Sequence, residues 1–134
     1  MPLQHRFDAQ NNLMRVRASA IVTERDFVEM LNALAGEPDG RGLHSSMLTT
    51  FAGDTSVMAI DMDALKRIRA HLEKLLEARP GPAIKSAWVA ADAKNAAVVR
   101  LWQALANLNP ALGRHIKIFS NEDDALAWLA DPTV

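Results

Sequence analysis

The chain has 134 residues, 49% hydrophobic and 23% charged, a balance that suits one globular domain with its own apolar core and argues against a disordered chain. It contains no cysteine, which excludes disulfides, thiolate metal sites and thiol redox chemistry. Its net charge of -1 gives no general affinity for nucleic acid, and the expectation is that no nucleic acid is bound.

The charge is uneven along the chain. Residues 1–60 carry five Lys+Arg and seven Asp+Glu, residues 61–120 carry ten and five, and residues 121–134 carry none and four. The basic middle could draw an acidic partner, but without interleaved aromatics it reads more simply as solvated helix faces. No apolar run reaches the roughly 18 residues of a membrane span, and MPLQHRFDAQ lacks the apolar stretch of a secretory signal. A protein that is not transmembrane and is cytoplasmic is the expectation.

In chain order, Gln4 to Asp8 and Leu13 to Val22 flank Ala9-Gln10-Asn11-Asn12, whose asparagines suit a tight turn, and the pair reads as a hairpin. Leu13, Arg15 and Arg17 alternate with Met14, Val16 and Ala18, the period of a strand with one wet face. Thr23, with Asp26 three residues on, opens a helix from about Glu24 to Ala35 in which Phe27, Leu31 and Leu34 recur at helical spacing. Gly36 to Gly42 holds three glycines and a proline and reads as a surface loop; it lacks the Lys-Ser/Thr of a phosphate-binding loop.

Leu43 to Ala52 reads as the third strand, and Gly53 to Ile60 fits neither pattern. Asp61 caps a helix with the stripe Leu65, Ile68, Leu72, Leu75 and Leu76, which ends at Arg79-Pro80-Gly81-Pro82. Ile84 to Val89 is the fourth strand. Asp92 opens the next helix, with Val98, Leu101, Trp102, Leu105 and Leu108, and Asn109-Pro110 breaks it. Ile116 to Phe119 is the fifth strand, and Asn121 caps a closing helix in which Ala125, Trp128 and Leu129 turn inward. Strict alternation after the hairpin implies parallel neighbours joined by right-handed crossovers. The expected fold class is α/β: a single domain over residues 1–134, with a five-stranded mixed sheet, an N-terminal hairpin and about four helices.

This order, with Ala87-Trp88-Val89-Ala90, the helix from Ala97 to Leu105, Ile118-Phe119, Glu122-Asp123-Asp124 and Ala125-Leu126-Ala127-Trp128-Leu129, resembles the SpoIIAA-like group of the STAS fold, the anti-sigma-factor-antagonist fold, in its uncharacterised bacterial branch. The likeness in element order spans nearly the whole chain, but the motifs are short and describe packing. The resemblance implies a non-enzymatic regulatory module that works through protein contact. In the signalling members a serine near the start of the helix after the third strand is the phosphorylated switch. The matching stretch here is Asp61-Met62-Asp63, with Met62 at the serine position, and a thioether cannot be phosphorylated. Asp63 supplies a fixed negative charge, stabilised by the helix dipole by roughly 0.3 to 1 kcal/mol; Asp61 and Asp63 are more simply explained as a cap and a favourable first turn. Thr55 and Ser56 offer nearby hydroxyls. The expected interaction surface is therefore Thr55, Ser56, Asp61, Met62 and Asp63.

No catalytic set is evident. His5, His44, His71 and His115 have no partner at metal-ligand spacing, and Glu122, Asp123 and Asp124 favour a helix start rather than a calcium site. Ser45, Ser46 and Ser56 lie in no glycine-flanked elbow. Neither catalytic residues, a metal nor a cofactor is expected. Trp88, Trp102 and Trp128 are expected in core packing, with a hydrophobic ligand site as the other use. Val57, Met58 and Ile60, near Met62, leave two alternatives open: a carrier or sensor of a small apolar or lipid-like ligand, or a homodimer contact.

Overall fold

The computed structural model of the chain describes residues 2–38 and 41–132, so Asp39 and Gly40 of the expected Gly36–Gly42 loop lie outside the described residues. β1 (Leu3–Asp8) and β2 (Leu13–Ala18) pair antiparallel, with Leu3 opposite Ala18 and Asp8 opposite Leu13. Asp8 closes the turn between them. Its carboxylate accepts the backbone N–H of Asn11 at 3.1 Å and the Asn11 side-chain amide at 2.9 Å, while Arg15 Nε donates to it at 2.8 Å. Asn12 takes a φ of 52°, a left-handed conformation that a short polar side chain tolerates.

Every later strand is reached through a helix. After α1 (Glu24–Ala35) come β3 (Ser46–Phe51), α2 (Met62–Ala78), β4 (Ile84–Val89), α3 (Ala93–Asn107), a 3-10 turn at Pro110–Leu112, β5 (Arg114–Phe119) and α4 (Glu122–Ala130). The sheet order is β1-β2-β3-β4-β5, parallel from β2 onward. The fold is thus α/β, with a five-stranded mixed sheet, an N-terminal hairpin and four α-helices among the described residues.

The helix starts follow from their caps. Thr23 and Asp26 form a reciprocal capping box, the Asp26 carboxylate accepting the Thr23 N–H at 2.8 Å. Asp61, Asp92 and Asn121 each accept backbone N–H groups at the start of α2, α3 and α4.

Strand order and register divide the side chains between two faces. Met14, Val16, Met47, Thr49, Ser86, Trp88, Arg114 and Ile116 share one face and meet α1, α2 and α3. Leu13, Leu48 and Ala87 share the other, where Ala125, Leu126, Trp128 and Leu129 of α4 cover them. Over β1 and β2 this second face is open, and Arg15 spans its border by donating to Asp8 and, through Nη1, to Glu122 at 2.8 Å. No helix among the described residues is long and apolar enough to cross a membrane.

Three boundaries differ from the sequence expectation by two residues or more. The run Leu13 to Val22 is not one strand: β2 stops at Ala18, because Ala20 takes a left-handed φ of 55° and turns the chain away. Beyond it Ile21 forms an isolated parallel bridge with Ser56. β3 begins at Ser46, three residues later than Leu43. β5 begins at Arg114, two residues before Ile116, after Gly113 with a φ of 63°.

Asp8 gives the hairpin a pH signature. Hydrogen bonds from Asn11 and then Arg15 hold its carboxyl well below the usual aspartate range. A carboxyl depressed on folding adds stability above its unfolded pKa, near 3.9, and that contribution disappears as pH falls through the lower folded value. Urea denaturation at pH 7 and pH 3 should therefore find a smaller acid-side loss of stability in Asp8→Asn than in the wild type; equal losses would show that the Asp8 carboxylate does not lock the turn.

Candidate functional site

Between the sheet and its three-helix layer lies a cavity of about 80 Å³. Its walls are overwhelmingly apolar: Phe27, Met30 and Leu31 from α1, Leu65, Ile68 and Leu72 from α2, Val98, Val99 and Trp102 from α3, and Met47, Phe51, Trp88 and Ile116 from the sheet. Trp88 is central. It packs edge-on to Phe51 with ring centroids 6.0 Å apart, and in a tilted contact with Phe27 at 6.3 Å. These contacts fix the indole without giving its N–H an acceptor.

The polar atoms in this wall make it unlike an ordinary core. Thr49 and Trp88 are cross-strand neighbours on β3 and β4, and Thr49 is 1% exposed. Thr49 Oγ1 and Trp88 Nε1 are both buried without a hydrogen-bond partner. Each such orphan typically costs about 1 to 3 kcal/mol. The other buried atoms without a hydrogen-bond partner among the described residues, His44 Nδ1 and Arg69 Nε, belong to residues outside this lining.

Arg114 completes the lining. As the first residue of β5 it shares the helix-facing side with Ile116, and its Nη2 donates to the Leu43 carbonyl at 2.6 Å. Burial pushes its guanidinium down to about 10, which leaves it charged at neutral pH. Among the described residues no carboxylate pairs with it.

The stretch Gly53 to Ile60 closes the cavity at the other ends of the strands, and Asn95 of α3 pins it. Asn95 is 5% exposed; its Nδ2 donates to the Thr55 carbonyl at 2.8 Å, and its Oδ1 accepts the Val57 N–H at 3.1 Å. Nothing in the sequence singled out Asn95. An asparagine in the first turn of a helix reads as solvated, and only the approach of the 53–60 segment gives it a role.

The residues expected at an interaction surface separate. Thr55 is a correction: it is buried, and its hydroxyl donates to the Ala18 carbonyl at 2.9 Å, so it is not on the surface and its hydroxyl is already used. Ser56 is half-buried; its hydroxyl accepts the Met58 N–H at 3.3 Å and its carbonyl the Val22 N–H at 2.9 Å. Asp61 caps α2, accepting the Ala64 N–H at 2.8 Å, and Met62 and Asp63 are exposed in the first turn. Val57 and Ile60, with 1% and 4% exposure, line the cavity and cannot serve as a dimer contact; Met58, 56% exposed, points away from it. Trp88 and Trp102 line the cavity as well, whereas Trp128 packs on Phe119 in the smaller cluster across the sheet.

A second, polar recess lies over the open part of the opposite face, between Gln4, Arg6, Arg15, Arg17, Thr50 and Glu122. Its central cation, Arg15, is already neutralised by Asp8 and Glu122, so it reads as a solvated sheet face. The histidines are dispersed: His5 meets Glu37, His44 the Arg79 carbonyl, His71 the Asn32 side chain, and His115 is exposed. Among the described residues no three His, Asp or Glu side chains come together as metal ligands.

Comparison of the chain with protein-family models, with curated proteins and with solved structures finds no match. The cavity and its polar atoms therefore carry the functional reading alone.

If the Thr49 hydroxyl has no partner, removing it should help the folded state. Thr49→Val, nearly the same shape, is expected to raise unfolding stability by about 1 kcal/mol in urea denaturation. A loss of similar size would mean that the hydroxyl is satisfied.

Proposed function

We propose that the protein is a non-enzymatic carrier or sensor of a small apolar or lipid-like ligand, held between the sheet and helices α1, α2 and α3. The observation that carries this reading is the pair Thr49 Oγ1 and Trp88 Nε1, unpartnered in an otherwise apolar cavity wall. Ligand sites commonly combine apolar walls with a few convergent polar groups, and a packed core normally satisfies its polar atoms. Val98, a half-buried residue of the α3 wall, offers the test. Native mass spectrometry of freshly purified protein should find an adduct on the wild type. Titration with hexan-1-ol should change the emission of Trp88 and Trp102. Val98→Phe, which fills the space, should lose the adduct and weaken the titration at least about tenfold, or about 1.4 kcal/mol. A bare wild-type mass with no response to the alcohol would refute the reading.

A second reading, contact with a protein partner as the SpoIIAA-like resemblance implies, is favoured by one surface observation. Ile21, Met58 and Met62 are 66%, 56% and 38% exposed, and the Ile21–Ser56 bridge brings the first beside the segment that leads into α2. Asp61 and Asp63 add negative charge there. An equivalent copy of the chain could use the same patch to form a homodimer. Asp63→Lys combined with Met58→Asp should remove a captured protein partner from a pull-down, or lower the dimer mass in light scattering if the partner is a second copy. Capture and mass both unchanged from wild type would sink this reading.

A further inference from the structure

We infer that the cavity takes a single-chain carboxylate, a free fatty-acid-like anion whose head group lies against Arg114 and whose alkyl chain runs toward Thr49 and Trp88. This rests on the ligand-cavity reading and adds the charge and polarity of the ligand.

The inference starts from an unbalanced cation. Arg114 lines an otherwise apolar cavity, and no acidic side chain among the described residues neutralises it. The Leu43 carbonyl takes a hydrogen bond from Nη2, and the rest of the donor fork has no protein partner among the described residues. Arg114 is half-buried, none of its nitrogens is buried without a partner, and a bidentate carboxylate matches both the charge and the fork geometry of the donors left free.

Arg114 also sits at one end of the lining. It begins β5 and bonds to Leu43, whereas Phe51 ends β3, and Val57 and Ile60 follow that strand. An elongated ligand with a charged head at Arg114 therefore passes Ile116, Ser86 and the Thr49–Trp88 pair before reaching the apolar far end. A neutral hydrocarbon would leave Arg114 unpaired. A carboxylate with an alkyl chain meets the charge of Arg114 and the apolar remainder of the wall.

The experiment compares chain-matched probes, hexanoate, octanoate and decanoate against the corresponding 1-alkanols, by tryptophan fluorescence and calorimetry on the full chain. Trp88 and Trp102 report occupancy, while Trp128 lies across the sheet. The wild type should bind the carboxylate at least about tenfold more tightly than the alcohol of equal length, the scale of a charge-assisted hydrogen bond. Arg114→Met should erase that preference, so that acid and alcohol of equal length bind alike; Arg114→Lys should keep part of it. The wild-type comparison needs no variant, so a misfolded Arg114→Met does not weaken the test. Equal binding of acid and alcohol by the wild type, or an intact preference in Arg114→Met, overturns the carboxylate inference while the cavity reading stands. Binding of neither probe overturns both.

Discussion

Crossover handedness sets the rest of this structure. Three successive parallel connections, β2 to β3, β3 to β4 and β4 to β5, step across the sheet in one direction. A right-handed crossover places its helix on the same side at each step, so α1, α2 and α3 must share one face. The other face is left to α4, whose nine residues cover only part of it. The result is a deep core on one side and a thin cover on the other. A layer of three helices against a twisted sheet must be filled by long side chains, and the cavity lies where Phe27, Leu65 and Trp102 approach the sheet without closing on Thr49 and Ser86.

The polar content of that interior is what an apolar core would avoid. Two side-chain atoms without partners and one unneutralised guanidinium line the same space. The two orphaned atoms lower stability relative to apolar groups of similar shape. Such features cluster where a site is organised around something that satisfies them. The contrast with the opposite face sharpens the point: Arg15 there is fully engaged by Asp8 and Glu122, in a place where water could have served it equally well.

Much of the fold was legible because its signals are local. Thr23, Asp61, Asp92 and Asn121 mark helix starts through bonds to backbone a few residues away, and the α2 stripe of Leu65, Ile68 and Leu72 needs only helical periodicity. Errors arose where the deciding interaction was conformational or distant. Ala20 reads as a continuation of β2, yet its left-handed backbone ends the strand. Arg114 and His115 look like loop residues after a glycine, and only pairing with Ile84 and Lys85 makes them strand. The cavity was the least legible feature. Thr49 and Arg114 are 65 positions apart, and an orphaned hydroxyl exists only relative to what surrounds it.

The segment from Gly53 to Ile60 shows why the two functional readings can be told apart by residue. Its side chains divide inward and outward: Val57 and Ile60 complete the cavity, while Met58 stands in solvent beside the start of α2. Asn95 holds both the Thr55 carbonyl and the Val57 N–H, and the Thr55 hydroxyl is anchored to Ala18. The backbone is thus fixed from two sides, so a polar residue at Met58 alters the surface without opening the cavity, and a larger residue at Val98 fills the cavity without touching that surface. Had the segment been a loose loop, every substitution in it would have perturbed both. Its anchoring to α3 and to the end of β2 makes the inner and outer faces of one short stretch chemically independent.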